Sequence, residues 1–256
     1  MRFFDGFDPA STRAFSGYDS VAANRFWQLV SRASDRMHVE VDGLDHVPEG
    51  RALFVMNHAF GWDAMLPIAA IRRATGRRVW ALGEHLWWRL PFIRRVAASV
   101  GTVDGTPENV DALLAADELV LVLPGGLREA VKPSALRYRL QWGTRYGFVR
   151  AAIRAGAPLI PLAGVGADEL FDLEGDAFER GRKWLGIDFP LPRPRYGLPI
   201  PHFRRLKYMI GEPIVTTALA DETPERTARR LRREVRGALE ELMDDELARR
   251  AASPTR

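Results

Sequence analysis

Short apolar runs alternate with longer amphipathic segments along most of this chain, and turn residues separate them. Two strands are predicted at residues 37–43, where apolar and polar side chains alternate, and at residues 208–210. Four other runs are almost wholly apolar, as is typical of strands buried on both faces of a parallel sheet. They are residues 52–56, 79–82, 119–123 and 159–162. The pattern predicts an α/β fold with a mostly parallel central sheet flanked by helices.

Helical spacing predicts helices between these strands and near both ends of the chain. The first helix runs from a cap at Asp19 or Ser20 to about Ser34. Its aromatic residues Phe26 and Trp27 either pack on the core or lie at a membrane surface. The sequence alone leaves both interpretations open, with core packing favoured.

The second half of the chain ends in a helix that begins around Thr223 and Pro224, a favourable cap and first-turn pair. Residues 172–205 contain many Pro and Arg and little periodicity, so we predict a long irregular segment of the kind that forms functional lids. We expect an N-terminal extension with an amphipathic helix at residues 1–36 and one main domain at residues 37–256.

The amino-acid composition excludes several kinds of chemistry and indicates where the protein is expected to be located. The 256 residues include no Cys, which excludes disulfides, thiolate nucleophiles and cysteine metal sites. No apolar run approaches the roughly 18 to 20 residues of a membrane-spanning helix, and the acids near the N-terminus do not fit a secretory signal. We therefore expect a cytoplasmic location and no transmembrane segment.

The charge balance favours ligands that carry phosphate over nucleic acid. The formal net charge is +4, and Arg is used far more than Lys, which suits coenzyme A or anionic lipid headgroups. A genome rich in Arg codons explains the same bias equally well. The positive residues are interspersed with acids and no basic binding motif occurs, so no nucleic-acid partner is expected.

His58 and Asp63 follow the first predicted buried strand and precede or begin the next helix, predicted at residues 62–71. Ligands bind at this edge of open α/β sheets, just past the carboxyl ends of the strands. Five residues apart on one helix, the two side chains would diverge by about 140° at ~100° per residue. They can meet only if His58 lies in the loop before the helix, which the neighbouring Asn57 and Gly61 permit.

Such a pair would have a defined chemistry. A neutral imidazole with a pKa of ~6.5 takes a proton from a hydroxyl, and a carboxylate on its other nitrogen fixes the tautomer and stabilises the imidazolium. From the residues alone, His58 and Asp63 are either unconnected or a catalytic dyad.

The sequence Asn57-His58-x-x-x-x-Asp63 resembles the signature of the glycerolipid acyltransferase superfamily. The resemblance extends over residues 37–217 and implies a fold like that of glycerol-phosphate acyltransferases. It also implies that His58 is the general base on an acceptor hydroxyl and that Asp63 orients His58. Asn57 is then expected among the substrate-binding residues.

A second motif, Pro-Gly-Gly-Leu-Arg-Glu-Ala at residues 124–130, follows another buried strand. Its glycines allow backbone N–H groups to approach an oxygen or a phosphate, and Arg128 supplies a planar fork of donors. We count Gly125, Gly126, Arg128 and Glu129 as candidate substrate-binding residues.

This motif departs from the phosphate-accepting members of the superfamily. They show Pro-Glu-Gly-Thr-Arg here, and they place an Arg where this chain has Gly105. The present motif is closer to the diacylglycerol acyltransferase-like branch, and residues 147–171 resemble that branch too. The resemblance thus implies a neutral lipid acceptor, or a phosphate held by other arginines.

Residues 84–96 alternate large apolar side chains with Arg, which suits either a membrane contact or the lining of a core or acyl tunnel. His85 in this segment is a weaker alternative to His58 as the base. We expect His38, His46 and His202 to be surface histidines.

Together these features predict an O-acyltransferase that moves a fatty acyl group from acyl-CoA or acyl carrier protein to a lipid hydroxyl of a glycerolipid or lysophospholipid. Acyl-CoA or the carrier protein serves as co-substrate, and no metal or other cofactor is expected. We expect peripheral contact with the inner face of the membrane. Two alternatives stay open: a thioesterase or esterase that uses the same dyad, and a non-catalytic peripheral lipid-binding protein.

Overall fold

The structure, a computed structural model, describes residues 13–59, 63–84, 88, 91–186, 188–195, 202 and 204–252. Within these ranges the strands are β1 (Glu40–Asp42), β2 (Ala52–Met56), β3 (Val79–Gly83), β4 (Thr102–Asp104), β5 (Leu119–Val122), β6 (Leu159–Val165) and β7 (Lys207–Ile210). The α-helices are α1 (Ser20–Arg36), α2 (Met65–Thr75), α3 (Pro91–Ser99), α4 (Pro107–Ala115), α5 (Gly126–Ala130), α6 (Gly147–Ala155), α7 (Ala177–Leu185) and α8 (Pro224–Ala252). Short 3₁₀ helices lie at Leu44–His46, Ser134–Leu136 and Ala167–Glu169.

The strands form a seven-stranded sheet in the order β1-β7-β6-β2-β5-β3-β4. Every neighbouring pair is parallel except β6 and β7, which run antiparallel. The predicted α/β fold with a mostly parallel sheet is therefore confirmed. Because β2, β3 and β5 are parallel neighbours, the loops that follow them open at the same edge of the sheet.

The central strand β2 is buried on both faces and divides the core into two layers. Leu53 and Val55 pack with residues of α4, α6 and α8 on one face. Phe54 and Met56 pack with α1 and α2 on the other. This alternation is the two-residue period of a strand, and it explains why the run contains no polar residue.

The first helix is part of the second layer. Asp19 caps α1 by accepting hydrogen bonds from the backbone N–H groups of Val21 and Ala22. Trp27 is buried, and its indole N–H donates to the carbonyl of Val100 at 3.0 Å. Core packing is thus the correct interpretation for Trp27. The proposed domain boundary after residue 36 stays a prediction.

Residues 172–205 are not wholly irregular, so that prediction is wrong for part of the segment. Helix α7 forms there because Asp176 caps it, accepting hydrogen bonds from the N–H groups of Phe178 and Glu179. The buried side of the helix, with Phe178 and Gly181, is too short to produce a visible period. In the described part of the chain, no helix is both long and apolar enough to cross a membrane.

Candidate active site

His58 and Asp63 meet in the loop between β2 and α2, as the sequence predicts. Nδ1 of His58 lies 3.2 Å from Oδ1 of Asp63. The second oxygen of Asp63 accepts a hydrogen bond from the backbone N–H of Ala59 at 2.6 Å, so the carboxylate also shapes the loop. The side chain of Asp63 is only 2% exposed and that of His58 is 12% exposed. The imidazole is therefore accessible while its carboxylate partner is shielded from water.

The surroundings raise the pKa of His58 above its usual 6.5. Burial alone would lower this pKa, but the charge of Asp63 and its hydrogen bond outweigh burial, and the charge of Glu129 adds to them. With Nδ1–H directed at Asp63, Nε2 is the free basic nitrogen, and it has no hydrogen-bond partner among the described residues. This is the geometry of a base held by an orienting carboxylate.

The backbone of His58 is held by two buried charged residues of opposite sign. Oε1 of Glu129 accepts the His58 N–H at 2.7 Å, and Nζ of Lys132 donates to the His58 carbonyl at 3.1 Å. Lys132 also pairs with Asp168 at 2.6 Å, with both side chains 4% exposed. Glu129 therefore holds the loop between β2 and α2 directly, through the backbone of His58. Lys132 was not singled out from the sequence.

Asn57 is also bound within the protein. Its side-chain amide donates to the carbonyl of Gly164 at 2.9 Å, and its oxygen accepts the Gly164 N–H at 2.7 Å. These two bonds join the ends of β2 and β6 beside His58. Asn57 thus supports the loop that carries His58.

The two glycines of the second motif have different surroundings. A Cβ at Gly125 would lie 2.1 Å from Oε2 of Glu129, so this glycine makes room for the buried carboxylate. Gly126 has φ +54° and lines the cavity next to His58, while its N–H donates to the carbonyl of Leu123 at 3.0 Å. Ligand binding by the backbone of these residues stays a prediction.

Arg128 lies apart from the cavity lining. Its guanidinium carbon is 4.5 Å from the ring centroid of Phe178 on α7, and Nη2 is 3.7 Å from Asp188. Two charged residues that were not singled out, Glu84 and Arg145, line the cavity instead. The sequence does contain a signal for Glu84. It directly follows strand β3, and residues just past the carboxyl ends of parallel strands are candidates for ligand binding.

The cavity at this edge has a volume of about 760 Å³, within the usual range for small-molecule sites. Its polar lining includes His58, Glu84, Thr102, Asp104 and Arg145, together with Gly126. The apolar part extends between α1, α2 and α3. It is lined by Phe26, Trp27, Met65, Ile68, Trp88, Ile93 and Ala97, among others.

Two other histidines have structural partners. His46 contacts the carbonyl of Ile210 at 2.7 Å, and Nε2 of His202 lies 3.1 Å from Asp172. Neither lines the cavity. His85, the alternative base, lies outside the described residues.

The fold is similar to that of a bacterial acyltransferase. The crystal structure of the 1-acyl-sn-glycerophosphate (LPA) acyltransferase PlsC from Thermotoga maritima superposes with a TM-score of 0.54. The match covers 86% of this chain and 79% of that one at 16% sequence identity. At this identity the similarity establishes the fold alone.

Residues 77–255 match the diacylglycerol acyltransferase family, so the chain belongs to that family. This match supports the resemblance inferred from the second motif. It begins after His58 and Asp63, and the assignment of the dyad therefore depends on the geometry described above.

Relatives occur in bacteria and in animals. An uncharacterized protein of Mycobacterium tuberculosis is 33% identical over 193 residues, which cover 71% of this chain and 53% of that protein. The "DGAT1/2-independent enzyme synthesizing storage lipids" of Mus musculus is 31% identical over 208 residues, covering 80% and 59%. The human protein of the same name is 30% identical over 209 residues, covering 80% and 60%. The chain thus spans a little over half the length of these relatives.

Proposed function

We propose that this protein is an O-acyltransferase that transfers a fatty acyl group from a thioester, acyl-CoA or acyl carrier protein, to the hydroxyl of a lipid. The observation that carries the proposal is the His58–Asp63 pair at 3.2 Å, with Nε2 of His58 free at a largely apolar cavity. Membership of the diacylglycerol acyltransferase family and the storage-lipid relatives support the same activity.

In the proposed reaction Nε2 of His58 removes the proton from the acceptor hydroxyl as its oxygen attacks the thioester carbonyl carbon. The tetrahedral intermediate then collapses, the C–S bond breaks, and the new ester forms. The imidazolium returns its proton to the departing thiolate, so the base is regenerated. Asp63 stabilises the imidazolium, which exists only between the two proton transfers.

The apolar part of the cavity suits the acyl chain. Its lining from α1, α2 and α3 contains aromatic and aliphatic side chains, and burial of a methylene group contributes roughly 0.8 kcal/mol. The thioester carbonyl would then lie at the polar end, beside His58 and Gly126. This arrangement brings the hydroxyl, the carbonyl and the base together, which is the main requirement of a one-step transfer.

The test is release of free CoA from palmitoyl-CoA, measured with monoacylglycerol, diacylglycerol, lysophosphatidate or no acceptor, and repeated with a palmitoylated carrier protein. We expect release to require an acceptor and to yield the acylated lipid. His58→Ala should lower the rate by about 10²- to 10⁴-fold, the usual contribution of a general base. His202→Ala is the matched control, because this histidine lies outside the cavity, and it should retain the wild-type rate.

Three results would contradict the proposal. Release without an acceptor would identify a thioesterase. Acyl-chain binding without turnover by either donor would identify a lipid-binding protein. A His58→Ala variant with near-normal turnover would remove His58 from the reaction.

We extend the proposal to peripheral contact with a membrane through α1 and α3, which flank the apolar part of the cavity. Phe92 and Val96 on α3 are 79% and 48% exposed, and Leu29 on α1 is 65% exposed. Arg25 and Arg95 are exposed on the same two helices. Exposed apolar side chains with nearby Arg suit an anionic lipid surface, from which an acyl chain could enter the cavity.

Sedimentation with vesicles of phosphatidylcholine and phosphatidylglycerol tests this contact. The double variant Phe92→Glu with Val96→Glu should bind the vesicles at least tenfold more weakly. Val215→Glu is the control, because Val215 is 69% exposed but follows Ile214, which pairs with the amino end of β6 at the opposite edge of the sheet. Equal binding by the α3 double variant and the wild type would refute the assigned surface.

A further inference from the structure

Two side chains of opposite charge lie at the mouth of the cavity, next to Gly126. A Cβ at Gly126 would be 3.0 Å from Oε2 of Glu84 and 3.3 Å from Nη1 of Arg145. The absence of a side chain at Gly126 therefore lets both charged groups lie close to its backbone. Because Glu84, Arg145 and His58 line the same cavity, a ligand that contacts the two charged groups lies beside the proposed reaction site.

The two charged groups are held differently and are not paired with each other. Nη1 of Arg145 donates to the carbonyl of Pro124 at 2.6 Å, which fixes the guanidinium and leaves other donors on it. Among the described residues, no hydrogen bond or ion pair engages the carboxylate of Glu84. Both side chains are exposed, so a ligand can reach them.

The remaining ionisable groups of the lining do not provide a phosphate site. Besides Glu84, Arg145 and His58, the described lining contains one charged residue, the buried Asp104. Gly105 follows it and contributes no side chain. A phosphate dianion beside Arg145 would also meet the exposed carboxylate of Glu84, and like charges within a few ångströms repel.

We propose that Glu84 selects the acceptor: it excludes lipids that carry a phosphate and, with Arg145, recognises an uncharged glycerolipid. The inference rests on the proposed acyl transfer. A carboxylate only accepts hydrogen bonds and a guanidinium only donates them. A monoacylglycerol offers the matching groups, since beside its reacting hydroxyl it has a second hydroxyl to donate to Glu84 and an ester carbonyl to accept from Arg145.

The experiment compares kcat/KM for monooleoylglycerol and for oleoyl lysophosphatidate, each presented in the same neutral detergent with palmitoyl-CoA as donor. Wild type should prefer the neutral acceptor. Glu84→Gln removes the negative charge at nearly constant size, and Glu84→Lys reverses it. The ratio of lysophosphatidate to monooleoylglycerol turnover should rise severalfold in the Gln variant and at least tenfold in the Lys variant. The gain with lysophosphatidate should shrink as salt is added.

Glu225→Lys is the matched control, because it makes the same change in net charge at an exposed position on α8. Its acceptor ratio should equal that of the wild type. Circular dichroism verifies that each variant is folded, and the Gln variant keeps the test valid if the Lys variant is not.

The outcomes separate this inference from the proposed function. Transfer to the neutral acceptor with an unchanged ratio in the folded Glu84 variants would overturn the role of Glu84 alone. An equal change in Glu225→Lys would overturn it too, since the effect would then reflect net charge. Failure of the wild type to acylate any acceptor would overturn both proposals.

Discussion

The buried carboxylate of Glu129 accepts a hydrogen bond from the backbone N–H of His58 at 2.7 Å, although the two residues are 71 positions apart in the chain. Its other oxygen accepts the N–H of Gln141 at 2.6 Å. Lys132, one helical turn further on, donates to the carbonyl of the same histidine. The loop that carries the proposed base is therefore held from both sides by residues of the second motif and its extension.

Replacement of Glu129 by Gln should impair the loop at almost unchanged volume. The glutamine amide has one acceptor oxygen where the carboxylate has two. The backbone N–H of either His58 or Gln141 would therefore face the amide NH2 group, which is a donor, and would lose its hydrogen bond. An unsatisfied buried group of this kind costs about 1–3 kcal/mol of the free energy of unfolding, measurable by urea denaturation. The rate should fall as well, because the ring of His58 loses its fixed position.

A pH profile separates this positioning role from a general loss of stability. The charge of Glu129 raises the pKa of His58, so its removal should move the acid limb of kcat/KM to lower pH. The control is Glu246→Gln, another buried carboxylate, paired with Lys207 and Arg250, none of which lines the cavity. It should lose stability and keep the wild-type profile; an identical shift in both variants would contradict the role given to Glu129.

Replacement of Lys132 by Met should move the profile in the opposite direction. The positive charge of Lys132 lowers the pKa of His58, so its loss raises that pKa and moves the acid limb to higher pH. The variant also leaves Asp168 buried without its partner, which should cost about 3–5 kcal/mol of stability. Adding Asp168→Asn should restore part of the stability and leave the direction of the pH shift unchanged. A shift to lower pH in either variant would be inconsistent with this geometry.

The dyad itself predicts how activity and stability depend on pH. His58 must be neutral to accept a proton, and its pKa lies above 6.5, so kcat/KM should fall below an apparent pKa higher than that value. Because the folded-state pKa is raised, the protonated histidine stabilises the fold fully below about pH 6.5, and this contribution disappears as the pH rises through the folded-state pKa.

Asp63→Asn should lower the pKa of His58, since the largest contribution that raises it is removed, and should reduce the rate by about 10²-fold or more. Titration of the His58 ring by NMR, with the His58→Ala spectrum to assign the signal, measures the pKa without relying on activity. An unchanged pKa in Asp63→Asn would show that the two side chains do not interact as described.

The local features of this site could be predicted from the sequence because they depend on neighbouring residues. The apolar run before His58 specifies a buried strand, and the turn residues around it specify the loop that lets His58 meet Asp63. The chain order of strands and helices follows from the same periodicity.

The other contacts of the site join residues that are distant in the chain. They depend on the tertiary fold, which the spacing of residues along the sequence does not predict. Glu129 and Arg128 are adjacent in one motif, yet Glu129 is buried beneath His58 and Arg128 lies against Phe178 on α7. That helix falls in a segment rich in Pro and Arg, where a single buried turn gives no clear period. The partners of Lys132 likewise become visible only once β2, α5 and the loop after β6 are assembled.

Gly125 supplies a final prediction, because its lack of a side chain is what admits Glu129. An alanine methyl at this position would lie 2.1 Å from Oε2 and 2.3 Å from Cβ of Glu129, contacts too short to persist without movement. The backbone φ of −70° is ordinary for alanine, so the cost is steric. Gly125→Ala should therefore lower the free energy of unfolding by about 1–3 kcal/mol and reduce activity, since the displaced carboxylate releases the His58 loop.

Gly237→Ala in α8 is the control: no atom lies within 4 Å of its added Cβ, and the change should stabilise the helix by about 0.5–1 kcal/mol. Thermal and urea denaturation of both variants measure the difference, and a Gly125→Ala protein as stable and as active as the wild type would show that Glu129 does not depend on this space.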